Sequence, residues 1–360
     1  MYNSDNHFIM RRYNIIFFFC YLYKVKLSHV RAMRIEIYTK SEELPELIND
    51  SVLHSAMMFR TFEQSRTSKP YMLAAYDDNG AEIGHLLILR RRNIRIIPPV
   101  FSVWYSILGE GSYSVHCNDK EAVFSVFIEK VFDMFDFRHT FIEILNIEDP
   151  RFAYGTMRSH HFIPLRDHRN YISLHSREPQ ERLSRAYKAH IRKSMERGVT
   201  FRRALNDGEI KEALLLMKKF YRSKTRKKLP DTEILFNMLH KTDGTFSDEA
   251  KLFIVEYKGK IIGSSICLYE DKRAILAYSC GLRKSFPLQH PGIMAIWAAI
   301  TDAYTNKYHH FEFHEVRGLS RLRKSFLTTI ENFGGKDAST LRWYHFKWNW
   351  VNKILRWIYV

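Results

Sequence analysis

Most of the motifs that announce a reaction are missing from this sequence. It contains no H-E-x-x-H helix, no glycine-rich P-loop and no Ser-His-Asp order, so zinc peptidase, nucleotide-triphosphatase and serine-hydrolase chemistry are not expected. Cysteine is scarce: Cys20, Cys117, Cys267 and Cys280 lie far apart with no CxxC pair. That excludes the usual zinc and disulfide frameworks, points to a reducing, cytoplasmic setting and leaves no metal expected. The paired histidines His160-His161 and His309-His310 are adjacent rather than at ligand spacing, and read as surface or capping residues. Long apolar runs are absent too. The longest near the start, Ile15 to Tyr23, is too short to span a bilayer. With 15 glycines and 10 prolines there is no low-complexity segment. Acidic residues are the scarcer charge, 39 against 56 Lys and Arg, for a net charge of +17. Such a field favours a polyanionic partner: nucleic acid, an anionic membrane surface or a phosphate-rich cofactor.

What is present is a folding chain. Hydrophobic residues make up 46% and aromatics 14% of 360 residues, enough for two cores rather than one. From Met33 onward, strand-like and helix-like segments alternate, the pattern of an α/β chain. The alternation repeats. A hairpin through Asp77-Asp78-Asn79-Gly80 has a counterpart through Lys258-Gly259-Lys260, with Gly84 and Gly263 in equivalent places. The apolar helix Glu121 to Phe137 leads into a strand at 140–145, and the helix Gly292 to Tyr308 leads into a strand at 310–316. Two blocks in one order indicate duplication. The divisions expected are an extension at 1–32, upstream of a start at Met33; a first copy at 33–176; a second at 177–342; and an aromatic, basic tail at 343–360. Between the copies, Ser176 to Gln180 breaks structure, and a basic helix from Glu181 to Arg197 ends at Gly198.

Three stretches carry a resemblance: the basic helix through Arg185 to Gly198, the hairpin with Gly259 and Gly263, and Phe311-Glu312-Phe313 followed by Gly318-Leu319 and Lys324-Ser325-Phe326. Together they resemble GNAT-type N-acyltransferases, in the tandem, FemAB-like branch whose members use acyl-CoA or aminoacyl-tRNA. The resemblance implies an α/β (α+β) fold of two tandem GNAT-like domains, each a mixed, mostly antiparallel sheet flanked by helices. The first copy, whose helix follows His116-Cys117-Asn118-Asp119-Lys120, lacks a comparable loop and reads as degenerate.

In such domains a helix N-terminus faces the donor pyrophosphate. Gln289, Gly292 and Ile293 fall at that loop, although Met294 stands where the family carries a small residue. A Pro-Gly helix start without a ligand is the alternative reading. Tyr278, Ser279 and Cys280 lie on the strand expected to splay and receive the donor, where a core tyrosine is the alternative for Tyr278. His314 and Glu315, at a strand end, are the acid/base candidates beside Tyr278, with simple solvated charge as the alternative.

The activity implied is N-acyl transfer from acetyl-CoA or another acyl-CoA to an amine, on a small molecule or a cell-envelope precursor. An aminoacyl-tRNA donor, with tRNA as partner, is the second reading. A non-catalytic nucleic-acid-binding or membrane-peripheral protein is the third. Arg90-Arg91-Arg92 with Arg95, and Arg222 to Lys228, are candidate phosphate contacts. In the tail, Val351, Ile354, Leu355 and Ile358 suggest a helical face that packs on the domain or lies on a membrane surface.

Overall fold

Strand-forming β-branched and aromatic runs alternate with apolar helices in a computed structural model that describes residues 33–359 apart from 49–50, 66, 93–102, 225–228, 242, 271 and 314–320. The first half runs β1 (Arg34–Tyr38), α1 (Ala56–Glu63), β2 (Ser68–Tyr76), β3 (Glu82–Arg92), β4 (Val103–Leu108), β5 (Ser112–Tyr113), α2 (Lys120–Asp133), β6 (Phe141–Leu145), α3 (Tyr154–Ser159) and β7 (Ile163–Ser173). The second half continues with α4 (Pro179–Arg182), α5 (Arg185–Glu196), β8 (Thr200–Arg203), α6 (Asp207–Lys224), α7 (Thr232–Met238), β9 (Ala250–Tyr257), β10 (Lys260–Glu270) and β11 (Arg273–Gly281). It closes with α8 (Pro291–Thr305), β12 (His310–Phe313), α9 (Arg321–Asn332), β13 (Lys336–Phe346) and α10 (Asn349–Tyr359).

The expected duplication is present, and the two copies share one sheet of order β1-β2-β3-β4-β6-β13-β7-β12-β11-β10-β9-β8, with β5 added to β3. Each half contributes an antiparallel meander ending in a parallel pair, β4 with β6 and β11 with β12. The final strands are exchanged. β13, from the end of the chain, pairs with β6 of the first half, and β7 pairs with β12 of the second. The two exchanged strands then lie antiparallel to each other at the centre.

Core packing follows the same plan. One face of the first half is filled around Phe124, Phe127 and Ile144, and the matching face of the second around Trp297, Ile300 and Phe311. On the opposite face a single cluster joins Met58 and Leu87 to Leu214, Met217 and Ile275. Each fully buried side chain of this size contributes about 1.5–3 kcal/mol, so neither half buries its apolar surface alone.

Two boundaries differ from expectation. The basic helix is broken: Leu183 is buried and Ser184 restarts the helix, its Oγ accepting from the Tyr187 N–H at 3.2 Å. An N-cap serine ends one helix and begins another because its oxygen takes an orphan amide. The aromatic tail begins later than residue 343: Trp343 is fully buried in β13, which runs to Phe346. Residues 1–32 lie outside the described structure.

Candidate active site

The site is assembled where α8 meets β10 and β11. Glycine permits it. A Cβ placed on Gly281 would stand 2.3 Å from the Gly292 nitrogen, and one on Gly263 would stand 2.7 Å from the Pro291 carbonyl. The helix start therefore rests directly on the strands, and its first amides, which have no intrahelical partner, are held over the strand ends. His290, the N-cap residue, is left-handed at φ 44° and makes no side-chain cap hydrogen bond. A Cβ on Gly292 would meet open space. Histidine and arginine side chains gather round this end. The His190 and His290 rings lie 4.0 Å apart, and Arg197 Nη1 donates to the Leu288 carbonyl at 2.6 Å. Burial, then His190, Arg197 and Arg283, hold the His290 pKa below its ordinary value.

Beside this helix end β11 changes its pairing. The parallel ladder between β11 and β12 is described as far as Leu276 and Phe313, the last described residue of β12, and β11 itself runs to Gly281. The register to β10 slips at the same point, where Ile266 faces Tyr278 and Cys267 faces Leu276, leaving Ala277 as a bulge. Bulges re-aim a strand. Beyond it the Ser279 N–H turns away from β10 and donates to the Tyr221 hydroxyl of α6 at 3.4 Å. Beyond its bulge the strand thus turns a backbone amide toward a side chain of α6, next to the uncapped helix end.

The first copy is built the same way and then closed. Through the pairs Ser106–Glu143 and Ile275–Glu312, Gly109-Glu110 corresponds to Tyr278-Ser279. Here the Gly109 N–H bonds the Leu145 carbonyl at 2.8 Å and extends the parallel ladder. Glu110 Oε1 then accepts from the backbone N–H groups of Ile147, Glu148 and Asp149 at 2.7, 2.8 and 3.3 Å. The space that Pro291 occupies over Gly263 is filled over Gly84 by the Tyr113 ring of β5. The α2 N-terminus is capped internally, Asp119 accepting from the Ala122 N–H at 2.9 Å. A carboxylate, a ring and a cap thus occupy the sheet end and helix start of this copy.

Where the halves meet, a shallow groove runs along the exchanged strands, lined in part by Asp167, His168, Arg169, Glu312, Phe313 and Arg342. Its wall includes Ile275 and Phe313, so it reaches the paired ends of β11 and β12. Its charged groups are paired across the duplication. Arg169 Nη2 donates to Glu312 Oε1 at 2.6 Å, with Arg273 Nη1 at 3.9 Å from the same oxygen. In the other half Arg342 bonds Glu143 and donates through Nε to Asp167 at 2.8 Å. Carboxylates and guanidiniums of both halves thus line one groove, suited to holding a polar or charged acceptor.

The expected site residues divide accordingly. Ser279 and Gly292 lie on β11 beyond its bulge and at the helix end, with Gln289 in the 3₁₀ turn just before α8. Tyr278 is half-buried, its ring 6.0 Å from that of Tyr221 in an edge contact. Cys280 faces inward, with Sγ 3.2 Å from Ser264 Oγ, and Ile293 packs on the second-half core. Met294 is fully buried, so its bulk sits in the core rather than in the loop. His314 and Glu315 lie outside the described residues. Of the basic runs, Arg91 is largely buried, and burial lowers its pKa; Arg95 and 225–228 are not among the described residues. Sequence reasoning missed Tyr221 and the groove pairs. Glu143 and Glu312 share one position in the repeated helix–strand block, a signal that could have singled them out.

Residues 182–321 match the family model described as the GNAT acetyltransferase domain. A search of curated proteins gives no match. Among solved structures the fold is similar to that of FemX, at 10% identity and a TM-score of 0.62, covering 92% of this chain and 98% of that one. It is also similar to L-PGS from Bacillus licheniformis, at 10% identity and a TM-score of 0.55, covering 85% and 91%. A third is the C-terminal domain (DUF2156) assigned to a lysylphosphatidylglycerol synthetase from Agrobacterium fabrum, at 10% identity and a TM-score of 0.54, covering 85% and 90%.

Proposed function

We propose that this chain is a GNAT-superfamily acyltransferase of FemAB-like tandem type, whose second half binds acyl-CoA and passes the acyl group to an amine held in the groove between the halves. The observation that carries this reading is the seating of the uncapped start of α8 directly on Gly263 and Gly281, at the end of β11 beyond its bulge at Ala277. A pyrophosphate suits that helix end, where free amides, Arg197 and Arg283 offer donors and positive charge. An extended pantetheine arm would suit β11 beyond its bulge, where the Ser279 N–H bonds a side chain rather than a strand, because a strand edge pairs with a linear chain as it would with another strand.

The reaction follows from placement. The amine nitrogen attacks the thioester carbonyl, the C–N bond forms, and the C–S bond breaks with the thiolate leaving. One proton must leave the nitrogen and one must reach the sulfur. Glu312 of β12 lines the groove, and His314 and Glu315, which follow it in sequence, are the proposed acid/base groups. Tyr278 of β11 is the candidate phenol donor to the sulfur. Holding both substrates together converts a bimolecular encounter into a positioned one.

A second reading has aminoacyl-tRNA as donor and a lipid-linked or envelope amine as acceptor. The net charge of +17 favours it, as does similarity to structures named FemX and lysylphosphatidylglycerol synthetase. The two separate in one assay. The purified chain is incubated with labelled acetyl-CoA or labelled aminoacyl-tRNA and a panel of amines, and label transfer is measured. Transfer from acetyl-CoA supports the first reading; transfer from aminoacyl-tRNA alone replaces it with the second.

A further inference from the structure

No helix among the described residues is long and apolar enough to cross a membrane, yet one is built to lie on it. In α10 the half-buried Val351 and Leu355 and the buried Asn352 face the protein. The outward stripe is Trp350, Lys353, Ile354, Trp357 and Ile358, at spacings of three and four residues that place them on one side of the helix. Trp357 is 87% exposed and Trp350 63%. A soluble helix ordinarily turns such a stripe inward. Here it is held outward: Asn352 Oδ1 accepts from the Phe346 N–H at 2.9 Å, and its Nδ2 donates to the Phe346 carbonyl at 2.6 Å.

A second apolar group stands beside the helix base. Phe137, 71% exposed, lies on the loop after α2, and Lys347 Nζ donates to its carbonyl at 2.7 Å. Lys347 and Arg138 lie 6.0 and 5.9 Å from the centre of the Phe137 ring. Asp136 neutralises Arg138 at 2.5 Å, which leaves Lys347 and Lys353 as the cations of the patch.

We propose that α10 and Phe137 form an interfacial anchor that seats the protein on an anionic phospholipid surface. Tryptophan favours the boundary between acyl chains and headgroups, and lysine beside it meets lipid phosphate. The charge of the patch selects this occupant over a second copy of the chain. A two-fold contact would set Lys347 and Lys353 against their own equivalents, whereas an anionic surface attracts them. The proposal does not depend on the identity of the acyl donor.

Flotation of the full chain with phosphatidylcholine vesicles, with and without phosphatidylglycerol, tests it. Binding is expected with phosphatidylglycerol, accompanied by a blue shift of tryptophan fluorescence, and at least ~10-fold weaker in the Trp350→Ser/Trp357→Ser variant. Lys347→Glu/Lys353→Glu should weaken it too, with the apolar stripe intact; circular dichroism and the melting temperature establish that both variants fold. Absence of binding, or equal binding by wild type and both variants, overturns the proposal. So does dimerisation in sedimentation that is lost in the tryptophan variant while vesicle binding is not seen.

Discussion

Arg169, on the last strand of the first half, bonds Glu312 of the second at 2.6 Å, and Arg342, on the last strand of the second half, bonds Glu143 of the first. The pairs are counterparts under the duplication, so each exchanged strand is fastened to the sheet it completes by an arginine reaching a carboxylate of the other half. The groove between the halves is therefore framed by the bonds that hold them together.

Removing one partner should be costly. Arg169→Met leaves Glu312 buried with only the more distant Arg273, and should destabilise the fold by about 3–5 kcal/mol. Arg169→Met/Glu312→Gln should recover much of that, because the uncompensated charge is gone. Urea unfolding of the two single variants and the double variant checks this through the coupling energy.

Glu110 should give the protein a pH dependence of its own. Burial, then the Glu148 charge, raises its pKa to about 7, against the pull of the amides it accepts from. The unfolded carboxyl loses its proton near pH 4.5 while the folded one keeps it, so its contribution to stability is fully present below pH 4.5 and is lost as pH rises to about 7. The loss is up to about 3 kcal/mol. Glu110→Gln, which keeps an acceptor oxygen for the three amides, should flatten that limb in denaturation curves taken across the range.

The acid side should be set by two histidines. Burial is the first cause that lowers His54 to about 3 and His345 to about 4. Both are neutral in the fold and charge in the unfolded chain below pH 6.5, so their contribution is present above that pH and is lost as pH falls toward 4 and below. His345→Gln should reduce the slope of stability against pH between about 6.5 and 4.

Legibility in the sequence followed the range of the interaction. The hairpins at 77–80 and 258–259, the strand at 273–281 and the helix at 292 depend on neighbours in sequence, and each is found within a few residues of its expected place. The duplication was legible because Gly84 and Gly263 do one job, allowing close approach of a ring or a helix start. The exchanged strands β7 and β13 were not legible, since their partners stand in the opposite half and no local pattern says which sheet a strand will join. The same limit hid Arg169–Glu312 and Arg342–Glu143. Gln289 and Gly292 marked the helix start correctly by position, whereas the inward turn of Cys280 depends on a strand pairing that spacing does not specify.

The central claim is that the donor enters the second copy, and a matched pair of glycine substitutions tests it. Gly281→Ala crowds the Gly292 backbone at 2.3 Å and should lift the start of α8; Gly84→Ala crowds Tyr113 at 2.7 Å in the closed copy. Both should lower the melting temperature, by about 1–3 kcal/mol of lost stability. Melting is measured with and without acetyl-CoA or CoA in large excess, where a bound ligand adds about 2.7 kcal/mol at one hundred times its Kd. The account predicts that wild type and Gly84→Ala are stabilised by the ligand and that Gly281→Ala is not. Stabilisation of Gly281→Ala equal to that of wild type, or no response from any of the three, would contradict it.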